Sequence, residues 1–231
     1  MNKNIINKRY KLGILGGMGP LATAKLYERI VNLTDAKNDQ DHIEMCILNN
    51  CTIPDRTKAI FENGESPVEK LQEGVNQLIE IGCENFIVPC NTAHYFKDKY
   101  IQNDKINFID MIEETIKYIK ENFYGLKVCV LATIGTVMSN IYGKDKEVNI
   151  NYPCEFTQKE VMEIIYQTKA GFDMFDKLQT IVSSEKYDVY LLACTELSIY
   201  KDRLEGNVID AMDVLAIKAI EKCGKRVKKI D

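Results

Sequence analysis

The 231 residues are 45% hydrophobic and 28% charged, with 30 basic against 34 acidic residues and a formal net charge of −4. This is the composition of a globular chain long enough to bury a sizeable core; it argues against disorder, and the lack of a basic excess argues against nucleic acid as a partner. No apolar run approaches the roughly 18–20 residues of a membrane span, and the polar, lysine-rich start from Met1 to Tyr10 lacks a signal-peptide pattern, so a cytoplasmic protein is expected, with no membrane partner.

In chain order, Lys11 to Leu15 predicts a strand running into a glycine turn, and Leu21 to Leu33 a helix. Glu44 to Asn49 predicts a second strand. Ser66-Pro67-Val68-Glu69 has the form of a capping box with proline at the first helical position, opening a helix to Ile81. Asn85 to Pro89 reads as a buried strand ending at Cys90, and Ile106 to Ile109 as a short strand before a helix to Asn122. The pattern then recurs. Lys127 to Leu131 is a strand with a turn at Gly135, Thr157 to Glu160 a second capping box, and Phe172 to Ser183 a helix. Asp188 to Ala193 is a buried strand ending at Cys194. Val208 and Ile209 precede a last helix from Ala211 to Cys223, and the lysines from 225 to 229 read as its frayed end. Short β-branched runs alternating with helices are the pattern of a parallel α/β sheet.

Three landmarks align between the halves in the same order: Lys11 to Gly19 with Lys127 to Gly135, Phe86 to Cys90 with Tyr190 to Cys194, and Ile109-Asp110 with Ile209-Asp210. Two pseudo-symmetric Rossmann-like α/β lobes of about 100 residues follow, a normal domain size. Their parallel sheets should enclose a cleft, with residues 1–105 in the first lobe and 106–208 in the second.

The eight cysteines include no C-x-x-C pair, and His42 and His94 are the two histidines, so neither a zinc site nor a disulfide framework is expected. Most of these thiols read as small buried hydrophobes. Cys90 and Cys194 differ because each ends a buried strand, the place where ligands sit in open α/β sheets. Two thiols facing one cleft suit inversion of a stereocentre: one removes a proton and the other returns a proton to the opposite face.

Three segments carry a family resemblance: Gly16-Gly17-Met18-Gly19-Pro20-Leu21-Ala22-Thr23, Pro89-Cys90-Asn91-Thr92-Ala93-His94 and Ala193-Cys194-Thr195-Glu196. They resemble the cofactor-independent aspartate/glutamate racemase superfamily, most closely its aspartate racemase (amino-acid racemase) branch, since Glu196 stands where the glutamate branch carries histidine. The resemblance implies Cys90 and Cys194 as catalytic thiols, with no metal and no pyridoxal phosphate. It implies substrate contacts from Met18, Arg56, Asn91, Thr92, Ala93, Thr133, Thr136, Lys169 and Thr195. It implies a homodimer acting on a small amino acid, and a last strand and helix, 209–231, that return to the first lobe. Tyr166 precedes Lys169 by three positions where the family pattern has four, and stays outside the expected site. Two alternatives remain open at this point. One is a related isomerase of the hydantoin racemase or maleate isomerase type. The other is a nucleotide- or solute-binding module, since Gly17-Met18-Gly19-Pro20-Leu21-Ala22 fits G-x-G-x-x-A, with Asp39 or Asp41 as the ribose acid.

Overall fold

The computed structural model describes residues 9–102, 104–184 and 186–229. The first half runs β1 (Tyr10–Gly16), α1 (Pro20–Leu33), β2 (Met45–Asn49), α2 (Arg56–Phe61), α3 (Val68–Ile81), β3 (Cys83–Ile87), α4 (Lys97–Tyr100), β4 (Asn107–Phe108) and α5 (Met111–Asn122). The second runs β5 (Lys127–Leu131), α6 (Ile134–Ser139), β6 (Asn149–Asn151), α7 (Glu155–Lys169), α8 (Phe175–Val182), β7 (Val189–Leu192), β8 (Val208–Asp210) and α9 (Ala211–Lys222). Stretches of 3₁₀ helix, Asn91–Phe96 and Leu197–Arg203, follow the two cysteine-bearing strands.

The strands form two four-stranded parallel sheets, ordered β2-β1-β3-β4 and β6-β5-β7-β8. The two orders are the same under exchange of the halves, which is the expected pseudo-symmetry. Strand alternation divides the core. Leu12 and Ile14 of β1, with Val128 and Val130 of β5, face a shared centre packed with α1, α5 and α9. Leu15 and Phe86 face outward onto α3, while Leu131 and Leu192 face α7 and α8. Both faces of each sheet are thus covered, which accounts for strands that are apolar throughout.

Gly17, at φ 96°, makes the turn from β1 into α1, and a Cβ there would come within 2.3 Å of the Asn50 carbonyl oxygen. Asp110 and Asp210 cap α5 and α9, accepting from the backbone N–H of Ile112 and Met212.

Several local expectations are corrected. Before α3, Pro67 already has helical φ −78° and ψ −7°, and the Ser66 hydroxyl accepts from the Val68 N–H at 3.4 Å, so Ser66 meets its half of the expected box although α3 itself begins at Val68. Thr157 to Glu160 lie inside α7, which starts two residues earlier behind Cys154. The turn at Gly135 is the start of a short helix. The lysine run is not a frayed helix end: α9 stops at Lys222, Val227 bridges antiparallel to Thr34, and the Lys228 N–H donates to the Leu33 carbonyl. β4 pairs in the first sheet, beyond the expected 105/106 boundary. β8 pairs with β7, so that strand does not return to the first lobe, whereas α9 packs against α1. The thiols also sort less uniformly than expected: Cys51 and Cys154 are exposed, and all eight are free. Residues 1–8, which carry most of the lysine-rich start, lie outside the described residues. No helix among the described residues is long and apolar enough to cross a membrane.

Candidate active site

The two cysteines occupy matching positions. Cys90 follows β3, and its carbonyl accepts from the Ala93 N–H at 3.1 Å. Cys194 follows β7, and its carbonyl accepts from the Leu197 N–H at 2.9 Å. Each is nearly closed off from solvent, 7% and 6% exposed, and both line one cavity between the lobes. Of the other expected contacts, Met18, Arg56, Asn91, Thr92, Thr133, Lys169 and Thr195 line it too.

Two expected residues do not. Thr136 is buried behind the wall, and its hydroxyl shares a 2.9 Å hydrogen bond with Thr92, which is likewise 2.9 Å from the Thr133 hydroxyl. This hydroxyl cluster ties the first lobe's Thr92 to the second lobe's α6. Ala93 packs into the first-lobe core, because the 3₁₀ turn after Cys90 points it inward. Asn91 is also held across the lobes: its side-chain oxygen accepts from Tyr142 Oη at 2.5 Å, while its buried Nδ2 has no partner. The exposed Cys51 is absent from the cavity.

Arg56 opens α2, whose cap Asp55 accepts from the Lys58 N–H. The guanidinium donates to the carbonyls of Ile53 at 3.2 Å, Pro54 at 2.9 Å and Met18 at 3.4 Å, and its buried Nε has no partner. Three carbonyls fix its direction without neutralising its charge. Lys169, the last residue of α7, lies 3.6 Å from Glu196 and is 35% exposed in its side chain. Burial acts to lower its ammonium, but Glu196, then Cys194 and Cys90, outweigh this and hold it above its usual value. Burial, followed by the Glu196 carboxylate, pushes the Cys194 thiol well up despite Lys169. Elsewhere burial raises Cys83 and Cys129 to about 12 and Cys223 to about 11, which marks them as packing residues.

His94 supports Cys90 from behind. Its Nδ1–H donates to the Cys90 carbonyl at 2.9 Å and its Nε2 accepts from the Met111 N–H at 3.2 Å. A carbonyl only accepts and an amide only donates, so the tautomer is settled. Burial holds the ring below the usual histidine range, despite Asp110.

Sequence reasoning left out Glu196, Tyr166, Asp55 and Thr57, all of which line the cavity. Tyr166 sits one turn before Lys169 on α7, so the i, i+3 spacing puts both on one face. The signal for Glu196 was its place two residues past a strand-ending cysteine, where the backbone turns into the cleft.

The nucleotide reading fails on geometry. Asp39–Asp41 is a 3₁₀ turn before β2, at the opposite edge of the sheet from the cleft, and Asp41 caps that turn through the Lys37 and Asn38 N–H groups. A ribose acid belongs beyond the carboxyl end of a strand. Among the described residues no group of three or more His, Cys, Asp or Glu side chains is placed to hold a metal ion.

Known proteins resemble this chain over most of its length. The structure of Picrophilus torridus aspartate racemase superposes with a TM-score of 0.85 at 37% identity, covering 95% of this chain and 96% of that one. The broad specificity amino-acid racemase RacX of Bacillus subtilis (strain 168) is 28% identical over 218 residues, 89% of this chain and 94% of the relative. Glutamate racemase isoform RacE1 from Bacillus anthracis, at 20% identity and a TM-score of 0.60 over 91% of this chain and 80% of that one, shares the fold. The family model described as Asp/Glu/Hydantoin racemase matches residues 15–219, from the end of β1 to α9 and so through both cysteine strands. This chain belongs to that family of racemases, a class of isomerases.

Proposed function

We propose that the protein interconverts L- and D-aspartate by proton transfer at Cα between two thiols, Cys90 and Cys194, without metal or pyridoxal phosphate. The observation that carries this reading is the pair of strand-ending thiols in one cavity, flanked by the cationic Arg56 and Lys169. A thiolate on one face removes the α-proton while the opposite thiol delivers one, so configuration inverts and no oxidation state changes. Arg56, Lys169 and the unpartnered Nδ2 of Asn91 supply donors for the substrate carboxylates; charge-assisted bonds of this kind are the strong ones.

The inner cavity, about 30 Å³, has room for only about two waters. An adjoining cavity of about 240 Å³ shares Met18, Arg56, Lys169 and Glu196 and is otherwise lined largely by Pro20, Leu21, Ala22 and Ile199. That extra apolar room favours a second reading, acceptance of glutamate or other longer side chains. A cytoplasmic homodimer, implied by the resemblance, belongs to the same proposal and is checked by sedimentation.

Incubation of the pure protein with each L-amino acid in D2O tests the function. Deuterium at Cα with accumulation of the D-isomer is expected for aspartate, unchanged after dialysis against chelator. No exchange with any amino acid overturns the reading.

A further inference from the structure

The two thiols differ in their neighbours. Cys194 Sγ–H donates to Glu196 Oε2 at 3.0 Å, and the other oxygen of that carboxylate lies 3.6 Å from Lys169 Nζ. The residue two positions after Cys90 is Thr92, whose hydroxyl is already engaged by Thr133 and Thr136. Cys194 alone of the pair thus has a carboxylate bonded to its proton. The Glu196 side chain is buried, and Gly19 leaves it room: a Cβ there would stand 3.1 Å from Oε1.

We infer that Glu196 is the proton acceptor that converts Cys194 to its thiolate when a substrate carboxylate draws Lys169 away. The inference rests on the racemase reading above. With the site empty, Lys169 compensates the buried carboxylate and the thiol keeps its proton. Both cavities border Lys169 and Glu196, so an anion entering from the larger one meets the ammonium before it meets either sulfur. Once the ammonium turns to the substrate, Glu196 is a buried carboxylate without a counter-ion, a costly state. Taking up the proton 3.0 Å away moves that charge onto Cys194 Sγ rather than removing it. The move becomes easier because Lys169 interacts more strongly with Glu196 than with Cys194, so its departure raises the proton affinity of the carboxylate more than that of the thiolate. Cys194–SH and Glu196–COO⁻ become Cys194–S⁻ and Glu196–COOH, with no other reactant. The thiolate then accepts the α-proton while Cys90–SH gives its own to the opposite face. As product leaves, Lys169 returns to Glu196, whose proton passes to solvent, and the Cys90 thiolate takes one from solvent. The remaining charged or titratable groups facing this centre are Tyr166 from α7, Arg56 and Asp55 at the start of α2, and Cys90 at the end of the β3 segment. The Gly17–Gly19 loop brings none.

The test compares pH profiles of kcat/KM for aspartate racemisation by the wild type, Glu196→Gln and Glu196→Asp. The amide cannot take a proton, so Cys194 must ionise unaided. Glu196→Gln is expected to lose about 10²-fold or more at neutral pH, the usual range for an acid–base group, and to recover as pH rises because the acid limb moves upward. Glu196→Asp keeps an acid one methylene shorter and should retain the wild-type limb at a lower plateau. This second variant decides the matter alone if the amide does not fold. A pH-independent loss in Glu196→Gln, an unmoved profile, or an upward-shifted limb in Glu196→Asp overturns the inference. A wild type that exchanges no Cα proton overturns the racemase reading instead, which keeps the two failures distinct.

Discussion

The two lobes repeat more than their cysteines. His94, Lys97, Asp110 and Glu113 behind Cys90 correspond in order to Ser198, Lys201, Asp210 and Asp213 behind Cys194. In the first lobe Lys97 bridges both acids, 2.7 Å from Asp110 and 2.5 Å from Glu113. In the second, Arg29 from α1 takes the cationic part, 3.0 Å from Asp213 and 2.8 Å from Asp202, while Asp210 has the Ser198 hydroxyl at 2.6 Å and one unpartnered oxygen. Burial acts to raise both capping acids. At Asp110 the neutral His94 ring brings no charge, but the Lys97 ammonium and the Glu113 N–H outweigh burial and hold the carboxyl below its usual range. At Asp210, the neighbouring Asp213 adds to burial, and the carboxyl rises to about 7. The same residue at the same place in a repeated fold takes opposite electrostatic character according to where its cation comes from. The first lobe neutralises its acids internally, whereas the second borrows an arginine across the interface.

The largest expected effect separates the two thiols. Cys90→Ala and Cys194→Ala should each reduce racemisation by at least about 10²–10⁴-fold. Each variant retains one base, so residual Cα exchange in D2O should survive for opposite enantiomers. Near-normal racemisation by either folded variant breaks the two-base reading. Next in size, Arg56→Ala should weaken dicarboxylates more than monocarboxylate analogues, by about 1.5–3 kcal/mol, as measured by inhibition constants. Equal losses would mean that the guanidinium clamps no second carboxylate.

The capping acids give the sharpest contrast in stability. Asp210 binds its proton more tightly folded than unfolded, so its share of stability is full below the ordinary carboxyl range and lost as pH rises through about 7. Asp110 behaves oppositely, contributing above that range and losing its contribution as pH falls. Asp210→Asn should therefore stabilise the protein at pH 8 by on the order of 1–2 kcal/mol, while Asp110→Asn destabilises it there. Denaturant midpoints at pH 5 and pH 8 decide it, and the same sign for both substitutions at pH 8 would erase the contrast. The smallest effect is Ser198→Ala, which removes one hydrogen bond to Asp210 and should cost about 1 kcal/mol.

The repeat was legible in sequence because buried parallel strands are apolar throughout and both end in cysteine, so β1, β3, β5 and β7 were placed to within two residues. Elements without an apolar signature were not. β6 is an edge strand of sequence Asn-Ile-Asn, and α2 is six residues long, too short for periodicity to show. The capping box at Thr157 failed because the pattern is local, while a helix starts where tertiary packing turns the chain, whereas the Ser66 hydroxyl does accept from the first turn of α3. Within the site, Cys90, Cys194, Arg56 and Lys169 were named from motif positions. Tyr166 was set aside because it precedes Lys169 by three positions where the family pattern has four, although three positions on a helix still share a face, and Glu196 was read as a marker of the branch rather than as a wall of the cleft.

The bridge between Thr34 and Val227 has a consequence for biosynthesis. The end of α1 and the face that α9 covers are made well before their partners, since Val227 follows Thr34 by 193 residues. At about 5–20 residues per second, the span between them takes on the order of 10–40 s to synthesise. During that interval the nascent first lobe exposes an apolar helix face that no local segment can cover. Loss of residues 211–229 should thus leave a chain that aggregates during translation rather than a smaller soluble lobe.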